Sequence, residues 1–534
     1  MGLLAPNVQT PEWEVASAFL GSRNIHPSEI SVPYESSRCI YFSAPADSAF
    51  VLIAKGQYKS ILGSQILAYG TGEDVWLREK GEEKSEHDVF FENLINGYER
   101  TLAVLDNAGT LRKTGKGLTI APMLKGIYYG QHLPYNQLFP KDGTGDGSWY
   151  SVVGCGPIAL AQTLTYYKAP VQLEGIVSGK TLRGYPYTYN LADYPVDWTQ
   201  LNAPALLLDC ALSIGTKMGT GYSLSRLAQL RNALVGSWNY DPGCKLLNSN
   251  YAEPKQVELI YAELAAARPV LLAGNNHIFT CDGCEGDFLH LDFGWKGYGN
   301  GYYRALLATE APEWQLPFDQ IIIGIQPAKG VFTEKVVKLS KAGTLAKKLP
   351  EKERRFVRKL TISGPVNGDD IDLIRRLSGA VITPEDLSNG YGALQELDLS
   401  GAKLVAGGAY HLNPGKMVIA GSIPKENAPA YEYRFELGRI TADDWKMIMN
   451  LGLNKTYHLQ MVKNTVLIAR ETQDNVVTSY LFADAIGLRH IALPKSTVQV
   501  ETMSFPNCSG LREVSNLPAN VAPDAFHTTF VFEQ

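Results

Sequence analysis

The stretch DGSWYSVVGCGPIALAQTLTYYKAP (146–170) sets one cysteine between two glycines at the head of an apolar run. Gly154 permits a sharp turn before the thiol, and Pro157 suits a first helical turn, where its missing N–H is not needed. The run IALAQTLTYY continues helically, so Cys155 is predicted at a helix N-terminus. A thiol becomes a nucleophile when such a terminus and a nearby imidazolium stabilise its thiolate. Without an imidazole, a lone cysteine is a small buried hydrophobe. The reading of Cys155 therefore turns on a histidine.

RPVLLAGNNHIFTCDG (268–283) supplies one, with His277 at the opening of a predicted strand after a polar turn. Fifteen residues on, LHLDFGWKGYGNGYY (289–303) holds Asp292 in a glycine-aromatic cluster. A turn within 282–287 and a return strand are expected to bring Asp292 beside the imidazole, where a carboxylate fixes the ring's tautomer. Upstream, YYGQHLPYNQLFP (128–140) offers Gln131, whose amide N–H can face a developing oxyanion together with the Cys155 backbone N–H. The order Gln, Cys, His, Asx is the one a papain-like thiol protease requires.

The rest of the chain bounds this reading. At 534 residues it is long enough for roughly three or four domains. A net charge of −5 with mixed signs argues against nucleic acid as the partner. With 28 Tyr and 8 Trp the chain is no disordered polymer. No apolar run reaches the ~18–20 residues that span a bilayer. The opening MGLLAPNVQTPEWEVASAFLGSR lacks the basic and long apolar regions of a signal peptide. Cys39, Cys155, Cys210, Cys244, Cys281, Cys284 and Cys508 are odd in number and scattered, unlike a disulfide framework. Zinc at Cys281–Cys284 would need two further ligands, with His277 and His290 nearest; no metal is assigned, and a tight turn carrying two incidental thiols is expected there.

Residues 11–110 open with a helix, TPEWEVASAFL, capped by Thr10 or the following turn. Strand-like runs (CIYFSA, AFVLIAK, SILGSQILAYG) and a charged amphipathic helix, EHDVFFENLINGYERTLAVLDNAG, follow. AGTLRKTGKGLT (108–119) reads as an exposed linker. Residues 120–327 form a mixed block, with helical runs carrying the thiol and strands carrying the histidine, an α+β arrangement with a cleft between its halves. EKERRFVRKL (351–360) reads as a solvated helix face. Further on, IGLRHIALP (486–494) and SGLREVSNLP (509–518) share a G-L-R-x-(I/V) core. Gly487 and Gly510 are 23 residues apart, as are Phe482 and Phe505. GALQELDLSGAKLV (392–405) has the same leucine spacing, so a leucine-rich-repeat solenoid is expected, irregular between 410 and 480.

Residues 125–327 resemble the streptopain family of papain-fold cysteine peptidases. The resemblance rests on five ordered segments: GQHLPYNQLFP, GCGPIALAQTLTYYKAP, RPVLLAGNNHIFTCDG, LDFGWKGYGNGYYR and IIIGIQP. AFVLIAKGQYKSILGSQILAYG and FFENLINGYERTLAVL are similar to the family's inhibitory prodomain, and residues from about 335 resemble BspA-like repeats. The resemblance implies a prodomain over 1–114, a two-lobe papain-like peptidase over 115–330 and a leucine-rich-repeat domain over 331–534. It implies that Cys155 is the nucleophile, His277 the base and later acid, and Gln131 the oxyanion amide. Asp292 stands where the family has Asn, Phe293 where it has Trp, and Trp295 matches the second Trp of Trp-Gly-Trp. Asn275 and Asn276 replace a Gly-Gly and Ile278 a small residue; with Gly154, Phe293 and Trp295 they are expected to border the substrate cleft. An Asp at 292 is expected to raise the His277 pKa.

The implied protein is a secreted or cell-surface endopeptidase made as a zymogen, its export signal or lipid anchor absent from this chain. It needs no cofactor. Its partners would be protein or peptide substrates, its own prodomain as inhibitor, and a host or surface protein through the repeats. The prodomain is expected to be cut near Leu111–Lys116. Two other readings use the same residues: a catalytically weak papain-like scaffold whose repeats do the binding, and a cell-wall thiol amidase.

Overall fold

Thr10 caps the first helix, α1 (Pro11–Gly21): its Oγ1 accepts from the Trp13 N–H at 3.1 Å, and Pro11 sits where no N–H is required. The computed structural model describes residues 10–526 apart from 28, 72–85, 107–109, 113–116, 144–148, 170–171, 249–252, 309–317, 413–417, 426–427, 437–445, 447–457 and 463–464. Contacts divide the chain into one unit of residues 1–230 with 252–325 and a second of 231–251 with 326–534.

In the first unit the leading strands β1 (Ser31–Glu35), β2 (Cys39–Ala44), β3 (Ala49–Ala54) and β4 (Ile66–Thr71) pair antiparallel in sequence order. Both β2 and β3 are buried along their whole length, as their continuous apolar runs require. Their core joins Ala16 and Leu20 of α1 to Phe42, Val51, Ile53 and Tyr69. The amphipathic run becomes α2 (Glu86–Leu105), which buries Phe90, Leu94, Tyr98 and Leu102 at four-residue spacing.

The cysteine-bearing run forms α3 (Cys155–Tyr167), buried from Gly156 to Thr165 and apolar nearly all round, as a core helix should be. Helices α4 (Ala203–Ile214), α5 (Leu227–Gly236) and α6 (Glu253–Ala265) follow on the predicted runs. Then come β5 (Val270–Gly274), β6 (His277–Glu285), β7 (Phe288–Asp292), β8 (Gly301–Arg304) and β9 (Gln320–Ile323). Asn275 and Asn276 make the two-residue β5–β6 turn, with φ of 49° and 58° and Gly274 opposite His277. Asparagine tolerates that left-handed backbone, which a tight hairpin needs at both central positions.

The sheet runs β1-β2-β3-β4-β8-β7-β6-β5-β9, every pair antiparallel. Tyr69 lies opposite Tyr302 and Ala68 opposite Tyr303, so the leading segment extends the very sheet that carries His277.

Two sequence expectations are corrected here. The Cys281–Cys284 segment is not a turn: it lies inside β6, with a bulge between Cys281 and Gly283, and the hairpin reverses between Glu285 and Phe288. All seven cysteines are free thiols, and all but Cys155 are buried. Nor is 108–119 wholly an open linker. Leu111–Arg112 pairs with Leu307–Ala308, and Thr119–Ile120 pairs with β6; residues 108–109 and 113–116 lie outside the described residues.

In the second unit β10 (Thr333–Lys338), β11 (Val357–Val366), β12 (Glu396–Leu404), β13 (His490–Ala492) and β14 (Glu513–Ser515) form a parallel sheet in that order. Ile491 lies opposite Val514, a rung of 23 residues. Phe482, Phe505 and Phe526 stack in line, with successive centroids 5.1 and 5.0 Å apart. Gly487 and Gly510 are both closely packed: a Cβ on Gly510 would lie 2.5 Å from the Ile486 carbonyl, and one on Gly487 2.7 Å from that of Ser378. Between β12 and β13 the pattern breaks into antiparallel pairs, Gly407–Leu412 and His458–Val462 each against Thr465–Thr472, and Val418–Lys425 against Ala428–Glu436.

EKERRFVRKL also departs from its reading. Only Glu351–Arg354 is helical, and Val357 begins β11, because parallel neighbours on both sides supply backbone partners that local charge pattern does not reveal.

Candidate active site

Gly154 enters α3 at φ 89°, a conformation that side chains rarely adopt, and a Cβ there would sit 3.0 Å from Ser223 Cβ. A Cβ on Gly156 would lie 2.7 Å from Ser225 Cβ. The two glycines thus let the chain turn and pack closely on either side of Cys155, which is partly exposed at the first helical position.

Gln131 is held against this turn. Its Oε1 accepts from the Gly154 N–H at 2.7 Å, and its backbone carbonyl accepts from the Val153 N–H at 3.1 Å. With the side-chain oxygen committed, Nε2 is the end left for a ligand, and it has no hydrogen-bond partner among the described residues.

His277 opens β6 and is buried. Its Nε2 lies 2.8 Å from the Phe293 carbonyl oxygen. A carbonyl only accepts, so Nε2 carries the proton and Nδ1 is the basic nitrogen of the neutral ring. Phe293 is in turn fixed by its N–H donating to Asn300 Oδ1 at 3.0 Å. Trp295 lies against the imidazole, with centroids 4.5 Å apart and planes at 31°. Burial pushes the His277 pKa down to about 4, the Phe293 carbonyl opposes that shift, and His87 adds to it.

That direction corrects the expectation of a raised pKa: burial dominates, and Asp292 is not placed to oppose it. Directly opposed residues of an antiparallel pair share a sheet face, and Asp292 lies opposite Thr280. Thr280 is three residues from His277, so Asp292 and His277 project from opposite faces. Asp292 Oδ1 accepts instead from the Gly294 N–H at 2.9 Å. Burial lifts its pKa to about 6. Ile278 is likewise buried on the face away from His277, as a packing residue. Asn275 and Asn276 are exposed at the turn, whereas Phe293 and Trp295 are buried around the ring.

The sequence reading missed what covers this ring. The first turns of α2 do so. Phe90 stands edge-on to His277 at 5.3 Å, to Phe293 at 5.1 Å and to Trp295 at 5.5 Å. His87 lies 4.2 Å from Trp295, centroid to centroid. Phe91 fills the space over Gly299, where a Cβ would be 2.0 Å from its ring. Polar contacts hold the leading segment elsewhere: Arg23 Nη2 donates to Glu285 Oε1 at 2.6 Å, and Arg304 donates to the Ser64 and Leu62 carbonyls at 2.8 Å. The paired phenylalanines were visible in FFENL, but their partner on the chain was not.

Comparison with known proteins gives a family match over residues 129–303, to the Peptidase C10 family. Among solved structures the chain is similar to a fragment of Prevotella intermedia prointerpain A, at 17% identity over 56% of this chain and 100% of that one, with a TM-score of 0.44. It is also similar to active wild-type Prevotella intermedia interpain A cysteine protease, at 19% identity over 40% and 96%, with a TM-score of 0.32. No curated protein matches. The matched segment contains Gln131, Cys155, His277, Phe293 and Trp295: it is a Peptidase C10 domain, and the protein is a cysteine-type peptidase.

Proposed function

We propose that the protein is an endopeptidase made as a zymogen, with Cys155 and His277 as its reacting pair. The observation that carries this is the Gln131 Oε1 bond to the Gly154 N–H, 2.7 Å, which leaves the Gln131 amide beside the thiol-bearing helix terminus. His277 Nδ1 takes the Cys155 proton, and the thiolate attacks a peptide carbonyl carbon. Gln131 Nε2 and the Cys155 N–H receive the oxyanion. His277 returns the proton to the leaving amine, giving an acyl-enzyme, and then takes a proton from the water that releases it.

The leading segment acts as inhibitor in this reading. Phe90 and His87 occupy the surroundings of His277 and Trp295 that an active ring needs to share with the thiol. Cleavage between the leading segment and the peptidase domain then frees the ring. Export to the cell exterior belongs to the same proposal and is tested by fractionating the producing cells. The second unit is proposed as a leucine-rich solenoid that binds a host or surface protein, a reading supported by its 23-residue parallel rung.

The decisive experiment is labelling with a thiol-reactive peptidyl epoxide before and after removal of the leading segment. Stoichiometric label at Cys155 only after removal, with casein digestion that Cys155→Ala abolishes, is the expected result. A cleaved protein that remains unlabelled and leaves casein intact would sink the proposal. Release of peptidoglycan fragments without casein digestion would make it an amidase.

A further inference from the structure

The turn that delivers Cys155 is held from two sides, and the proposed chemistry uses only one of them, Gln131. The peptide group joining Val152 and Val153 is pinned at both ends. Its N–H donates to the Gln131 carbonyl at 3.1 Å, and its C=O accepts from Ser223 Oγ at 2.7 Å. The same hydroxyl accepts from the Gly219 N–H at 3.2 Å, and the Val152 N–H donates to the Gly219 carbonyl at 2.9 Å. The segment bearing Ser223 is itself fixed, since the Leu224 N–H and carbonyl both pair with Lys217, at 2.9 and 3.0 Å. Packing runs through the same place: Ser223 and Ser225 are the side chains that Gly154 and Gly156 allow to approach. Ser225 Oγ, by contrast, pairs with Thr216 Oγ1 at 2.9 Å and makes no hydrogen bond to the turn among the described residues.

One hydroxyl therefore ties the turn before the thiol to the 217–224 hairpin, opposite the point where Gln131 is seated. The plane of the Val152–Val153 peptide sets the path of the next two peptide groups, whose N–H groups are those of Gly154, bound by Gln131 Oε1, and of Cys155. Donors fixed in advance need no reorganisation when charge develops, and a small displacement of them is costly in rate. We infer that Ser223 is a positioning residue of the oxyanion site. Through the Val152 carbonyl it sets the direction of the Cys155 N–H and the seat of the Gln131 amide, its own hydroxyl being spent on backbone groups. Without that hydroxyl the Val152 carbonyl and the Gly219 N–H lose their shared partner, and the turn is held by Gln131 and the Gly219 carbonyl alone. This inference rests on the reading of Cys155 as the nucleophile and Gln131 as its oxyanion amide.

The test uses the full chain activated by removal of the leading segment. Its variants are Ser223→Ala, Ser223→Thr, which keeps the hydroxyl, and Ser225→Ala, a hydroxyl loss on the same segment that spares the turn. Three readouts are needed: kcat and KM on a peptide substrate, inhibition by a peptidyl aldehyde, and the rate of Cys155 alkylation by iodoacetamide. The aldehyde's thiol adduct puts an oxygen into the oxyanion site, whereas alkylation is a displacement that forms no oxyanion. Ser223→Ala is expected to lose about tenfold in kcat with KM changed by about twofold or less. Aldehyde binding should weaken by a similar factor, and alkylation should keep the parent's rate and stoichiometry, which also shows the site to be folded. Ser225→Ala should stay close to the parent in all three readouts, and Ser223→Thr should retain most of the parent's kcat. Alkylation slowed in step with kcat, or an equal loss in Ser225→Ala, would overturn the inference and make Ser223 an ordinary packing residue. Full activity in Ser223→Ala, or a threonine variant as slow as the alanine one, would overturn it too. A Cys155→Ala enzyme that stays active would instead remove the reading beneath it.

Discussion

Phe90 stands edge-on to His277, with ring centroids 5.3 Å apart and planes at 66°, so a side chain of the leading segment covers the imidazole that the proposed chemistry needs. Phe90 is buried and meets Phe279, Phe293 and Trp295 as well.

Truncating that ring should loosen the leading segment more than breaking its ion pairs. Phe90→Ala removes a buried aromatic side chain, a loss of about 3–5 kcal/mol. Glu285→Ala breaks a partly exposed pair with Arg23, of about 1 kcal/mol or less. In the uncut chain, Cys155 labelling should accelerate strongly in the first variant and little in the second. Equal rates in both would contradict the assignment of Phe90 as the cover.

Acid should destabilise the covered state. The His277 pKa is lowered in the folded chain to about 4, from an ordinary value near 6.5. A histidine kept neutral by burial binds fewer protons folded than unfolded, so stability is full above pH ~6.5 and declines as pH falls toward 4. Thermal unfolding of uncut Cys155→Ala protein between pH 7 and 4 should follow this decline, and His277→Phe should flatten it. An unchanged slope in His277→Phe would assign the acid sensitivity elsewhere.

Asp209 of α4 should act in the opposite direction. Its carboxyl is buried, neither oxygen has a hydrogen-bond partner among the described residues, and burial lifts its pKa to about 8. A carboxyl raised in this way stabilises the fold least where it is ionised in the unfolded chain, so stability falls as pH rises from about 4 to 8. Asp209→Asn should therefore raise Tm at pH 7.5 relative to the parent and change it little at pH 4. A Tm gain of equal size at both pH values would point to packing rather than charge.

In the second unit, Gly510→Ala should cost about 1–3 kcal/mol, because its Cβ would meet the Ile486 carbonyl at 2.5 Å and the backbone must move. Denaturant unfolding of the full chain monitored at that unit measures it. A neutral outcome would mean that the backbone around Ile486 and Gly510 adjusts freely.

Much of the site could be read from the linear chain. Cys155 after Gly154, the polar turn before His277 and the Gln131 segment each follow from a local rule: a helix start, a tight hairpin, a positioned amide. Asp292 shows where local reasoning stopped. The return strand formed as expected, but whether its carboxylate reached the ring depended on register, and a shift of one residue moves a side chain to the other sheet face. EKERRFVRKL failed for a related reason, since its strand exists only through neighbours distant in the chain.

By itself, then, the sequence determined the order of elements, the thiol at a helix head and the 23-residue spacing, because backbone sterics and side-chain periodicity act over a few residues. Only the tertiary structure decided that the leading strands join the histidine's sheet, that Phe90 caps the ring and that a main-chain carbonyl holds it. Those outcomes rest on contacts between segments far apart in the chain, and strand register and burial set them together.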